Sequence, residues 1–301
     1  MASLFSRRAV PYVTGAAAVS IVGSAYSQTR RPIMLDSTAN PPTKTLAFPA
    51  SMLFSKQLTV TKSEQVNHDT KRITFALPGG DNEISGVPAG SAILTQHNPS
   101  NGWLPILRPY TPISDPSTRG TLELLVKRYP SGRASTHMHS LSPGDHLTVR
   151  GPLPGYNWRV PKSSTSILLV AGGAGITPIY SLAKGILSNA NEKTQVQLLW
   201  GVNGERDIVL RDELERLEQQ HPGRLQVTYC ISGPDAKEQG EKWTKGYVDK
   251  SVLQQAIERC GSTWGDDQGK KVFLCGPPAM ENAVGKTLTE LGLGKKEVHK
   301  F

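Results

Sequence analysis

Between Leu53 and about Arg159 the chain alternates apolar and polar positions in short, β-branched runs: LTVTKSEQV, KRITFALPGG, SAILTQH, GTLELLVKRY and HLTVRGPL. Gly79, Gly80, Gly86, Gly90, Gly102, Gly120, Gly132 and Gly144 punctuate the runs roughly every ten residues, the rhythm of an all-β barrel or sandwich. Residues 51–160 are therefore assigned to a small antiparallel β-barrel. After Pro161 the rhythm changes. SILLVAG (Ser166 to Gly172) is apolar almost throughout and precedes a helix with Leu182, Ile186 and Leu187 on one face. QVQLLWGV, LQVTYCIS and KVFLCG repeat that pattern, and DIVLRDELERLEQQH places Leu210, Leu214 and Leu217 at helical spacing. Apolar runs separated by helices predict a doubly wound parallel sheet covered on both faces, assigned to residues 161–301. Such sheets bind ligands at the carboxyl ends of their strands.

The chain ahead of the barrel is different in kind. From Ala9 to Thr29 there are 21 consecutive uncharged residues, long enough as a helix to span ~31 Å, about one bilayer core. They are mostly Ala, Gly, Ser and Thr around Val13, Val19, Ile21 and Val22, with Pro11 near the start. Four arginines (Arg7, Arg8, Arg30, Arg31) and no acid stand before Asp36. Residues 1–35 read as a mitochondrial presequence with a weak membrane anchor, against a secretory signal or a plain tail. Residues 36–50, with Pro41, Pro42 and Pro49, read as a linker. The location expected is mitochondrial and membrane-associated, at the outer membrane or in the intermembrane space.

Composition narrows the classes. At 301 residues, 37% hydrophobic and 20% charged, the chain suits two folded domains. Its net charge of +9 includes +4 from the N-terminal segment, no block of five or six basic residues is present, and aromatics are only 6%, which argues against nucleic acid. Cys230, Cys260 and Cys275 show no C-x-x-C spacing, so a disulfide scaffold or metal cluster is not expected.

Four constellations carry chemistry. GGAGITP (Gly172 to Pro178) follows a strand and opens a helix; its glycines allow a sharp turn and close approach to a phosphate, and Pro178 loses nothing in a first turn. Lacking a third glycine, it is also compatible with a plain strand-to-helix turn. CGPPAM (Cys275 to Met280) sets Cys275 at the sheet's carboxyl edge, as a packed thiol or a reactive one. In RPYTPIS (Arg108 to Ser114), Arg108 offers a planar charged fork, Tyr110 a flat face and Thr111 a hydroxyl; a Pro-bounded edge strand would look the same. GRAST (Gly132 to Thr136) reads as a turn whose amides and Ser135 cradle a second phosphate. His137 and His139 would share a face on a strand, but without a third ligand no metal is assigned.

In this order, and with the C-terminal aromatic Phe301, the motifs resemble the NADH-cytochrome b5 reductase family of the ferredoxin-reductase superfamily over about Leu53 to Phe301. The leader, NGERDIVLRDEL and the ending VHKF are most similar to its fungal mitochondrial branch. The resemblance implies an FAD-binding barrel followed by an NAD-binding domain. It implies that Arg108 and Ser135 bind the FAD pyrophosphate, that Tyr110 packs on the flavin and that Thr111 hydrogen-bonds near its N5. Pro109, Ser114, Val126, Gly132, Arg133 and Ala134 would complete that site. Lys127 would lie near the nicotinamide nucleotide, with Gly172, Gly173, Ala174, Gly175, Thr177 and Pro178 cradling it. Cys275 would sit against the nicotinamide, flanked by Gly276, Pro277 and Met280. Ala134 stands where relatives often have Met, and Ala174 where many have Thr. Ser232 stands where NADH-using relatives often carry Asp, so NADH is the expected donor with NADPH not excluded; the nearest cation is Lys237.

The implied reaction brings nicotinamide C4 about 3–3.5 Å from flavin N5 for direct hydride transfer. Thr111 and Cys275 are the catalytic candidates, as orienting groups, and no protein base is needed. Single electrons would then pass to cytochrome b5 or a similar haem protein, the enzyme acting as a monomer tethered to a membrane. Alternatives are a same-fold reductase with a quinone or other acceptor, and a non-enzymatic nucleotide-binding protein.

Overall fold

The computed structural model describes residues 43–47, 55–100, 104–162, 165–234, 236, 242–265 and 270–301. The predicted leader 1–35, most of the predicted linker and Lys237 lie outside the described residues.

The first half is a six-stranded antiparallel sheet. In chain order its strands are β1 (Lys56–Gln65), β2 (Thr70–Ala76), β3 (Ala92–His97), β4 (Ile106–Tyr110), β5 (Thr121–Lys127) and β6 (His146–Leu153). The spatial order is β4-β3-β6-β1-β2-β5. Period-two alternation turns Leu58, Val60, Ile73, Phe75, Ile93, Leu147 and Val149 onto one core. Both edge strands face that core, β5 through Leu122, Leu124 and Val126 and β4 through Tyr110, so the sheet curls around it. Leu125 points the other way and joins the core of the second half with Ile113, which is why the run LLV is apolar on successive positions.

Two expectations change here. GRAST is not a free turn ahead of a strand: Arg133–Ser140 form helix α1, with Ala134, Ser135 and Met138 buried. His137 and His139 therefore do not share a strand face. His137 stacks on His97 at 3.9 Å, and the His139 ring meets the Val126 carbonyl at 2.8 Å. Nor is the predicted linker wholly outside the barrel. Lys44 and Thr45 pair with Glu83 and Ile84, and Leu46, 4% exposed, is part of the barrel core.

The second half is a six-stranded parallel sheet. Its elements are β7 (Ser166–Gly172), α2 (Ile176–Ser188), β8 (Gln195–Val202), α3 (Arg211–Gln220), β9 (Leu225–Ile231), β10 (Trp243–Lys245), α4 (Lys250–Cys260), β11 (Val272–Cys275), α5 (Pro278–Glu290) and β12 (Val298–Lys300). The order is β10-β9-β8-β7-β11-β12. Every residue of β7 is buried: Ile167, Leu169 and Ala171 face the core shared with α2 and α3, whereas Leu168 and Val170 face the core shared with α4 and α5. The sheet changes direction between β7 and β11, where Ala171 pairs with Cys275. That switch point opens a crevice at the strands' carboxyl ends. β12 then delivers Phe301 to the barrel, close beside Gly90.

Candidate active site at the domain seam

A cavity of about 1080 Å³ lies at the seam. Its barrel wall carries Arg108, Pro109, Tyr110, Thr111, Gly132, Arg133, Ala134 and Ser135, and its far wall Gly172, Ala174, Gly175, Thr177, Pro178, Cys275, Gly276 and Pro277. Arg108 is exposed, with Nη1 donating to the Leu107 carbonyl at 2.8 Å. Tyr110 packs its ring on the barrel core, and burial pushes its hydroxyl up to about 12, so it stays a donor at neutral pH. Thr111 is 8% exposed, and its hydroxyl has no protein partner among the described residues.

Helix α1 begins at Gly132 with no side-chain cap, so its first-turn amides are left for a ligand. Ser135 supports this turn from inside: its hydroxyl donates to the Gly132 carbonyl at 3.0 Å and accepts from the Tyr129 amide at 3.2 Å. An uncapped helix start beside an exposed guanidinium fits a pyrophosphate, and the unpartnered Thr111 hydroxyl fits a ring acceptor. The residues present therefore suit FAD.

A second cavity of about 540 Å³ continues over the parallel sheet, lined by Gly172, Gly173, Thr177, Asn203, Ser232, Tyr247, Pro277 and Met280. Lys127 and Tyr129 line both cavities. The two loops at the switch point are packed against each other. A Cβ on Gly175 would fall 2.2 Å from the Cys275 carbonyl oxygen, and one on Gly172 would fall 2.2 Å from Met280 Sδ. Gly173 has open space but a φ of +50°. Trp200, fully buried, donates from Nε1 to the Gly173 carbonyl at 3.0 Å and so holds the loop from below.

Cys275 is half-buried. Burial, and after it the Glu281 carboxylate, pushes its thiol up to about 11, so it is protonated at neutral pH and packs rather than attacks. Glu281 also accepts from the Gly276 amide at 3.1 Å. Lys127 Nζ lies 2.9 Å from Asp69 and 3.6 Å from Asp207. Burial would lower its pKa, but hydrogen bonding and charge from Asp69, with Asp207 behind, raise it overall.

Two sequence candidates do not reach either cavity. Ser114 accepts from the Glu123 amide at 3.0 Å and faces a separate polar hollow with Asp115 and Arg72. Val126 has its side chain in the barrel core, 0% exposed, and only its carbonyl engaged by His139. Ser232 does line the second cavity, its hydroxyl donating to the Val202 carbonyl at 3.3 Å. Trp200, Tyr129, Tyr247 and Glu281 were missed. Two had a local signal, Tyr129 two positions beyond Lys127 where β5 runs out and Glu281 directly after CGPPAM, whereas Trp200 and Tyr247 come to the site from elsewhere in the α/β half.

Two family descriptions match: residues 57–158 an oxidoreductase FAD-binding domain, residues 169–286 an oxidoreductase NAD-binding domain. Fold, cavities and matches together define a two-domain flavoprotein oxidoreductase that uses FAD and a nicotinamide dinucleotide. The chain is 39% identical to NADH-cytochrome b5 reductase 2 of Phaeosphaeria nodorum, over 81% of this chain and 74% of that one. It is 40% identical to the protein of the same name from Chaetomium globosum, over 81% and 71%. The cytochrome b5 reductase domain of Ulva prolifera nitrate reductase superposes with a TM-score of 0.71 at 28% identity, covering 87% of this chain and all of that domain. The chain belongs to the NADH-cytochrome b5 reductase family.

Proposed function

We propose that this chain oxidises NADH and passes the electrons one at a time to cytochrome b5 or a similar haem protein. The observation that carries this is the continuity of the two cavities: the barrel's ligand-facing donors and the switch-point loops share one wall at Gly172, Ala174, Thr177 and Pro277. FAD, when bound, links a two-electron hydride donor to one-electron acceptors. The chain's own part is placement. Arg108 and the α1 amides would hold the pyrophosphate, Tyr110 would pack against the ring system, and Thr111 would offer its hydroxyl to it. Gly172 to Thr177 and Cys275 to Pro277, on the opposite wall, would hold the nicotinamide, with the Cys275 thiol as a neutral packing surface. Bringing two reactants to near-attack distance is a large share of what such a site must supply.

Anaerobic titration of the purified yellow protein tests the reading. NADH should bleach the flavin stoichiometrically, and cytochrome b5 should then restore its colour. A protein that takes up no flavin on reconstitution, or a bound flavin that NADH leaves unbleached, would overturn it. Titration with NADPH in parallel resolves the donor preference left open by the neutral Ser232.

The reading extends to location. The acid-free, arginine-bearing leader and the 21 uncharged residues that follow Arg8 support a mitochondrial, membrane-associated enzyme tethered through residues 1–35. One chain builds both cavities, which supports action as a monomer. Fractionation of mitochondria with carbonate extraction, comparing the full chain with one lacking residues 1–35, tests the tether.

A further inference from the structure

One polar cluster ties the two halves together beside the cofactor cavities. The barrel's share comes from the β1–β2 turn, the start of β2 and Lys127 at the end of β5. Asn67 Nδ2 donates to the Arg206 carbonyl at 2.8 Å, and His68 Nε2 lies 3.6 Å from Asp207 Oδ1. Asp69 Oδ2 lies 2.9 Å from Lys127 Nζ, which itself reaches Asp207 Oδ1 at 3.6 Å, and the Arg72 guanidinium pairs with Glu213. On the α/β side the partners fall between Arg206 and Glu213, in the turn after β8 and the first turn of α3.

Asp207 differs from an ordinary surface acid. Its side chain is 9% exposed, and Oδ2 is already held by the Gly204 amide at 2.9 Å. That leaves Oδ1 aimed at Lys127 and His68. A carboxylate this buried is costly unless a cation answers it, and Lys127, whose charged form its acidic neighbours favour, is the cation that does. Lys127 also lines both cavities. The ammonium where the two cavities meet is thus gripped by one carboxylate from each half of the molecule, Asp69 and Asp207.

We infer that Asp207 is a positioning residue for hydride transfer: through Lys127 it fixes the seat of the α/β domain on the barrel, and so the placement of the nicotinamide against the flavin. The inference rests on the proposed oxidation of NADH. Asp207 also lines the second cavity, but in this role it touches no reacting atom; its effect passes through Lys127 and the turn it caps.

Two substitutions separate charge from capping. Asp207→Asn keeps an acceptor for the Gly204 amide and loses the charge, whereas Asp207→Glu keeps the charge on a longer arm. The test is anaerobic stopped-flow bleaching of the reconstituted holoenzyme at saturating NADH, repeated with NADH deuterated at the transferred position. Since a displacement of about 1 Å can cost on the order of 10²-fold, Asp207→Asn should bleach at least tenfold more slowly, with FAD content unchanged and a full deuterium isotope effect. Its KM for NADH should rise by less than the limiting rate falls. Asp207→Glu should keep most of the wild-type rate. Bleaching of Asp207→Asn at the wild-type limiting rate would overturn the inference, as would Asp207→Glu being equally slow. If Asp207→Asn does not hold FAD, Asp69→Asn, which removes the other carboxylate from Lys127 without touching Gly204, is read by the same criteria. A wild-type protein that NADH cannot bleach would instead overturn the proposed function, so the two failures are distinct.

Discussion

Two glycine-bearing loops open helices at this seam, and they use glycine differently. At the start of α1, Gly132 makes room within its own turn: a Cβ there would fall 2.4 Å from Ser135 Oγ. At the start of α2, Gly172 and Gly175 make room for another loop, Met280 Sδ and the Cys275 carbonyl each lying 2.2 Å from where a Cβ would stand. The first glycine shapes a cradle from one segment, and the second pair joins two segments across the switch point. A glycine in a nucleotide-binding loop therefore need not mark where the nucleotide lies; here it marks where two strand ends must meet. Damage to the first loop should act on FAD retention, whereas damage to the second, which forms the far wall of the first cavity and through Gly172 borders the second, should upset how the two ligands face each other more than it loosens FAD.

Gly175→Ala is the strongest way to break that comparison. The obstructing atoms are backbone, the Cys275 carbonyl oxygen at 2.2 Å and the Gly276 amide nitrogen at 2.9 Å, and neither can rotate away. With the loops forced apart by about 1 Å, bleaching of the flavin by NADH should slow on the order of 10²-fold while FAD content holds. Gly172→Ala, whose nearest neighbour is the flexible end of Met280, is the milder control. Equal rates for the Gly175→Ala and wild-type proteins would mean that the loops have slack.

Arg108→Ala probes the other cradle. Removing a charge-assisted partner of a phosphate costs about 1.5–3 kcal/mol, so FAD should bind roughly ten- to a hundredfold more weakly. Flavin released into the filtrate on ultrafiltration measures it. Unchanged retention would show that the α1 amides suffice alone.

What was legible in the sequence follows the same division. β7 could be read because both of its faces are covered, leaving seven buried residues in a row. The helix α1 could not, since GRASTHMHS is a short run of mostly indifferent helix formers whose order depends on Met138 and Ala134 packing against the barrel. Leu46 was hidden among prolines that suggested a linker, because its burial depends on a two-residue pairing with Glu83 and Ile84. In the site, the ligand-facing motifs were visible as motifs. Two of their supports were not: Trp200 beneath Gly173 and Asp207 beside Lys127 are joined by the fold, and no local spacing announces them, whereas Glu281, on the Gly276 amide, directly follows CGPPAM and was within local reach.

Thr111→Val should have a smaller effect than either cradle substitution. It removes a buried hydroxyl on the cavity wall that has no protein partner among the described residues, in a nearly isosteric exchange. A neutral hydrogen bond is worth about 0.5–1.5 kcal/mol, so flavin reduction should slow roughly two- to tenfold, with FAD retained. A normal bleaching rate would remove Thr111 from the set of orienting groups.

The smallest effect is expected at Cys275, where the two loops meet, and its sign can be worked out from the thiol. Burial, with the Glu281 carboxylate adding to it, lifts the group from its ordinary value of 9.0 to about 11. The folded protein therefore holds it protonated across pH 6–9. Cys275→Ser should reduce turnover only through altered packing, leave FAD bound, and change no inflection of the pH–rate profile in that range. An inflection below pH 9 present in the wild type and absent from Cys275→Ser would show a working thiolate and overturn the packing role. Stability should respond only above that range. Unfolding frees the thiol to ionise at its ordinary value, so below about pH 9 the group makes no difference. Between about pH 9 and 11 its enforced protonation costs the fold at most about 1.4 kcal/mol per pH unit. The gap in melting temperature between Cys275→Ser and wild type should accordingly be constant up to pH 9 and shift in favour of the serine variant above it.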